Sequence, residues 1–130
     1  MNIALIGYGK MGKTIEPIAQ SRNHNIVFCA GSAGFTEQDL TKADLCIEFS
    51  APTCAFENIT KCLAAGKPVV SGTTGWLHRW PELEAHVAAT DGAFFYASNF
   101  SVGVNIFFAL NRYLAKIMDA FPEYAAQIHE

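Results

Sequence analysis

Short apolar runs recur along the chain, separated by stretches in which apolar residues fall at helical spacing. Ile3-Ala4-Leu5-Ile6 predicts a buried strand, and Met11, Ile15, Ile18 and Ala19 then line one face of a helix. Ile26-Val27-Phe28-Cys29-Ala30 predicts a second strand and Leu45-Cys46-Ile47-Glu48-Phe49 a third. A helix over residues 55–65 is closed by Gly66, a common stop signal. Pro68-Val69-Val70-Ser71 is a short strand, and Pro81 suits the first turn of a helix carrying Leu83 and Val87. Ala93-Phe94-Phe95-Tyr96 predicts another strand, followed by an apolar helix from 104 to about 118. Strands alternating with helices imply an α/β fold with a doubly wound, mostly parallel sheet and helices on both faces. Pro17 falls inside the first helix, where a proline removes one hydrogen bond, so a local bend is expected there.

The turn after the first strand reads Gly7-Tyr8-Gly9-Lys10-Met11-Gly12. Gly-x-Gly-x-x-Gly between a buried strand and a helix is the fingerprint of a dinucleotide-binding turn. The first glycine permits the turn, the second admits a pyrophosphate and the third lets the helix pack closely. The helix start then offers free N–H groups and a positive dipole end. Two further turns stand at expected strand ends, where doubly wound sheets bind ligands. In Gly72-Thr73-Thr74-Gly75, glycines allow close approach and hydroxyls suit a ribose or carboxamide. In Ala97-Ser98-Asn99-Phe100-Ser101-Val102-Gly103, Asn99 can serve an amide and Phe100 a flat ring. Each also has a plainer reading: a tight connection at 72–75, a helix cap at Ser101, a core ring at Phe100. Three such turns at the ends of one sheet favour a cofactor crevice. The acid that usually follows the second strand and bonds the ribose 2′-hydroxyl of NAD is missing, since Cys29-Ala30-Gly31-Ser32 stands there. Lys10 is either a solvated surface lysine or a neighbour for a 2′-phosphate, so NAD and NADP both stay open.

Composition narrows the classes. The 130 residues are 51% hydrophobic and 16% charged, enough for one real core. A net charge of −3 without a basic stripe argues against a nucleic-acid surface. No apolar run reaches the roughly 18–20 residues of a membrane span, and no signal peptide is visible. Cys29, Cys46, Cys54 and Cys62 contain no C-x-x-C pair, and the four histidines have no ligand spacing, so no metal site and a cytoplasmic compartment are expected. Residues 1–120 read as one dinucleotide-binding domain. After Phe121-Pro122, Tyr124-Ala125-Ala126-Gln127-Ile128-His129-Glu130 looks like a strand opening a further, truncated domain.

Four motifs in order resemble the dihydrodipicolinate reductase family: Lys10-Met11-Gly12, Glu48-Phe49-Ser50-Ala51-Pro52, Val70-Ser71-Gly72-Thr73-Thr74-Gly75 and Asn99-Phe100-Ser101-Val102-Gly103-Val104-Asn105. Glu48 stands where that family usually has Asp. The resemblance implies a Rossmann-type cofactor domain for NADH or NADPH. It further implies a reductase converting 4-hydroxy-tetrahydrodipicolinate to tetrahydrodipicolinate in lysine and diaminopimelate biosynthesis, and a homotetramer in the intact protein. Gly7, Tyr8, Gly9, Lys10, Met11 and Gly12 would hold the pyrophosphate. Gly72, Thr73 and Thr74 would seat the nicotinamide ribose, and Ala97, Ser98, Asn99 and Phe100 would orient the nicotinamide. No catalytic residue is assigned within the chain; the family's substrate-binding histidines and lysine would follow Glu130. The alternatives are the cofactor domain of another two-domain NAD(P)-dependent dehydrogenase and a non-catalytic dinucleotide-sensing module.

Overall fold

Chain order runs β1 (Asn2–Ile6), α1 (Lys10–Ser21), β2 (Asn25–Ala30), β3 (Leu45–Glu48), α2 (Pro52–Ala64), β4 (Val69–Ser71), α3 (Trp80–Thr90), β5 (Phe94–Tyr96) and α4 (Val102–Met118). This is a computed structural model describing residues 1–125 and 127. The chain divides into two units, Met1–Ser98 and Asn99–Glu130.

In the first unit the strands form one sheet in the order β2-β1-β3-β4-β5, every neighbouring pair parallel. Alternation along β1 decides which residues meet which helix. Ala4 and Ile6 join Ile59, Cys62 and Leu63 of α2 and Leu83 of α3 in one buried cluster. Ile3 and Leu5 join Ala19 of α1 in another, with Ile15 packed against it. The sheet therefore carries helices on both faces, as its hydrophobic pattern predicts. Burial of a side chain such as Ile6 or Ile59, each at 1% exposure or less, is worth about 1.5–3 kcal/mol.

Helix starts differ by a few residues from the sequence expectation. α2 begins at Pro52 rather than 55, because a proline fits the first turn where its missing N–H goes unneeded. β3 ends at Glu48, with Phe49 opening the following turn while its N–H still donates to Ile6 O (2.8 Å). Pro17 does not interrupt α1. Residues 37–40 form a short 3₁₀ turn that periodicity does not predict. Its start is legible as Thr36-x-x-Asp39: Asp39 Oδ2 accepts from Thr36 N–H (2.7 Å) and the Thr36 side chain accepts from Asp39 N–H, the two halves of a capping box, while the Thr36 hydroxyl also donates to Asp39 Oδ2 (2.8 Å).

In the second unit α4 starts at Val102. Ser101 caps it, its Oγ accepting from Val104 N–H at 3.4 Å. The side chain of Asn105 donates to Asn99 O (2.9 Å) and Ser101 O (2.8 Å), which ties the helix to its own entry turn. No residue of α4 is buried, and Val102 and Phe107 are 74% and 60% exposed. Tyr124, Ala125 and Gln127 have no regular structure; the rest of the strand expected over 124–130 lies outside the described residues.

Candidate functional site

The strand order changes direction between β1 and β3: the chain goes from β1 outward to β2, then crosses back over β1 to β3. A crevice opens at such a switch point, beyond the carboxyl ends of the strands. The loops after β1, β2, β3 and β4 line clefts there. Gly7 makes the first bend at φ +94°, and a Cβ on it would lie 2.2 Å from Phe49 O, so no side chain fits. The N–H groups of Gly7 and Tyr8 both donate to Ala30 O (3.1 and 2.8 Å), fastening the turn to the end of β2. Gly12 packs α1 against this turn, since a Cβ there would sit 2.7 Å from Gly7 O. Gly9 is different: a Cβ would meet nothing within 4 Å. The protein does not need that space, and a closely approaching ligand could use it.

The first intrahelical bond of α1 at this end is Lys13 N–H to Gly9 O (3.1 Å), so Lys10, Met11 and Gly12 present the N–H groups a helix start leaves over. No side chain caps Gly9, and the first turn carries no acidic residue. An uncapped helix start with its positive end unopposed is chemically suited to a phosphate.

Two adjoining clefts share Gly9, Phe49 and Ser50. The larger, about 510 Å³, runs along the β1 turn, Gly31, Ser32 and Gly34 after β2, and Cys54 and Asn58 of α2. The smaller, about 360 Å³, lies between Gly9, Lys10 and Met11 on one side and Gly72, Thr73 and Thr74 on the other. The first and second predicted turns are thus brought together. Lys10 lines the smaller cleft and is not among the residues lining the larger one, where the end of β2 offers Gly31 and Ser32 but no acid. Tyr8 lines the larger cleft, held by a hydrogen bond from its hydroxyl to Glu16; that bond, then partial burial, raises its pKa above the ordinary tyrosine value.

Thr73 is nearly buried, and its hydroxyl turns inward to Glu48 Oε1 (2.9 Å). Gly72 serves Phe49, whose ring would lie 2.1 Å from a Cβ at that position. Thr74 remains exposed. Ala97 extends the β4–β5 pairing, its N–H donating to Ser71 O (3.3 Å), and Ser98 is exposed. Asn99 and Phe100 belong to the second unit. There the Asn99 side-chain oxygen accepts from Ser101 N–H (2.8 Å), and Phe100 is 44% exposed.

Sequence reasoning about chemistry passed over Ser50, Cys54, Asn58 and Phe35, which line the cleft. Ser50 and Cys54 carried a usable signal, since they bracket the start of the helix that follows β3. Phe35 carried none: it is placed by Lys61, whose Nζ donates to Phe35 O (2.7 Å) and stands 4.9 Å from its ring centroid. Among the described residues no three His, Cys, Asp or Glu side chains are grouped to hold a metal ion, and no helix is long and apolar enough to cross a membrane.

Residues 31–100 match the family model described as dihydrodipicolinate reductase, N-terminus. A 4-hydroxy-tetrahydrodipicolinate reductase from Christiangramia forsetii is 48% identical over 132 aligned residues, covering 100% of this chain and 55% of that protein. The chain thus spans about half the length of this curated relative. Among solved structures, a proposed oxidoreductase from Klebsiella pneumoniae aligns with a TM-score of 0.61 at 26% identity, over 74% of this chain and 34% of the other. A hyperthermophilic archaeal homoserine dehydrogenase mutant in complex with NADPH aligns with a TM-score of 0.59 at 17% identity, over 72% and 43% of the two chains. The latter likeness concerns the fold alone.

Proposed function

The chain belongs to the dihydrodipicolinate reductase family, within its N-terminal part, and from that premise we propose that it is the NADH- or NADPH-binding portion of a 4-hydroxy-tetrahydrodipicolinate reductase. The observation that carries the cofactor reading is the uncapped start of α1, with Gly9 leaving open space beside it. The N–H groups of Lys10, Met11 and Gly12 would bond the pyrophosphate, with Gly7 and Tyr8 shaping the turn. The larger cleft would take the adenosine. Gly72, Thr73 and Thr74 would border the nicotinamide ribose, and Ala97 and Ser98 would orient the nicotinamide ring. When bound, the reduced nicotinamide supplies a hydride; these residues supply position and a preorganised electrostatic surround.

Reduction of 4-hydroxy-tetrahydrodipicolinate to tetrahydrodipicolinate would belong to the intact enzyme, whose substrate-binding groups we place after Glu130. A titration of this chain with NADH and, separately, NADPH, followed by reduced-nicotinamide fluorescence at fixed moderate salt, is expected to saturate. Failure of both to bind would refute the cofactor reading. The ratio of the two affinities would assign the preference that the acid-free end of β2 leaves to other groups. In the same samples no turnover of the dicarboxylate substrate is expected, and measurable reductase activity would refute the placement of the catalytic groups.

A further inference from the structure

We propose that Glu48 is a positioning residue: its buried carboxylate ties the turn after β3 to the turn after β4 and so sets the far wall of the smaller cleft. The proposal rests on the dinucleotide reading for what that wall contacts. Glu48 ends β3 at 0% exposure, and among the described residues no ion pair reaches it. A carboxylate taken out of water must be satisfied by donors. Glu48 Oε1 accepts from Ser50 N–H (2.9 Å), Ser50 Oγ and Thr73 Oγ1 (2.9 Å), and Oε2 accepts from Ser71 Oγ (2.6 Å). Ser50 Oγ in turn accepts from Asn58 Nδ2 (3.1 Å) and Cys54 Sγ (3.5 Å) of α2. One acidic side chain therefore gathers the end of β3, the start of α2, the last residue of β4 and the turn beyond it.

Two of those partners, Ser50 and Thr73, line the smaller cleft. The one proton of the Thr73 hydroxyl is committed to Glu48, and its oxygen also accepts from Ser50 N–H (2.9 Å). Thr73 consequently acts on a ligand through where its backbone and its neighbour Thr74 stand, not by donating its own hydroxyl. An apolar residue at 48 would fill the space, but it would leave the buried hydroxyl of Ser71 unpartnered and the two turns untied. Hydrogen bonds to a charged acceptor are roughly twice as strong as neutral ones, which suits a tie between loops.

Trp76 offers a reporter, because its Nε1–H donates to Thr73 O (2.7 Å). The experiment compares the wild-type chain with Glu48→Gln, Thr73→Val and the double variant. It reads the Trp76 indole N–H resonance, the thermal midpoint, and the affinities for NADH and for ADP, a probe of the adenosine and pyrophosphate half. Glu48→Gln is expected to shift the Trp76 resonance and to weaken NADH about tenfold, with ADP changed less than about threefold. The double variant should lose no more than Glu48→Gln alone, since both changes cut the same tie. An unmoved Trp76 resonance with unchanged NADH affinity would overturn the proposal. So would equal losses for NADH and ADP, the mark of general loosening, or additive losses in the double variant. Should Glu48→Gln not fold, Thr73→Val and Ser50→Ala cut the ties from the partner side and are held to the same NADH-against-ADP pattern. A Trp76 shift in a chain whose wild type binds neither nucleotide would support the tie and refute the dinucleotide reading.

Discussion

Gly7 and Gly9 stand two residues apart in one turn and answer to different constraints. Gly7 has a left-handed φ and no room for a Cβ beside Phe49 O; Gly9 has an ordinary φ of −88° and open space. Gly7→Ala should therefore cost about 2–4 kcal/mol in a denaturant midpoint, combining backbone strain with a main-chain clash. Gly9→Ala should leave stability within about 0.5 kcal/mol and weaken NADH or NADPH about tenfold, because the added methyl enters space left for ligand. Equal effects of the two substitutions on stability would contradict this division. The fingerprint alone assigned each glycine its own expected duty. What the sequence did not show is that Phe49 excludes a side chain at Gly7, because Phe49 stands forty-two residues away and is reached only by strand pairing.

Elements were read well where hydrophobic periodicity is long and poorly where a few polar contacts make the structure. Among the described residues, the five strands and four α-helices each have the sequence signature that predicts them. The 3₁₀ turn over Glu37–Leu40 has too few residues for a period and is held by the Thr36–Asp39 box. The Thr36 N–H, then its hydroxyl, stabilise the charged carboxylate and hold the Asp39 pKa below the ordinary 3.8. A lowered folded pKa means that Asp39 contributes stability above the ordinary value and loses it as pH falls through the lowered one. A carbon-detected NMR titration should place the Asp39 midpoint below 3.8, and Asp39→Asn should remove that part of the acid sensitivity of this turn. A midpoint at or above 3.8 would show that the box is not formed in solution.

For the first unit taken whole, the cleft and the core make opposite demands on its cysteines. Cys46 and Cys62 are buried side by side between β3 and α2, and their mutual hydrogen bond lowers the pKa of the first and raises that of the second. Cys54 lines the larger cleft and is half-buried. Alkylation followed by mass spectrometry should label Cys54 in the native state and spare Cys46 and Cys62. Saturating NADH or NADPH should slow Cys54 labelling about tenfold or more, by occupying the cleft. Unchanged labelling in the presence of a dinucleotide that binds would place the ligand elsewhere. By itself the sequence determined the strand and helix alternation, the parallel sheet and the glycine turn, because each follows from local periodicity or from a residue that alone permits a backbone shape. Only the tertiary structure decided that Thr73 turns its hydroxyl inward and that Glu48 ties two loops. Those contacts join residues twenty-three or more positions apart through β3–β4 pairing, and no local pattern encodes which donors a buried carboxylate will meet.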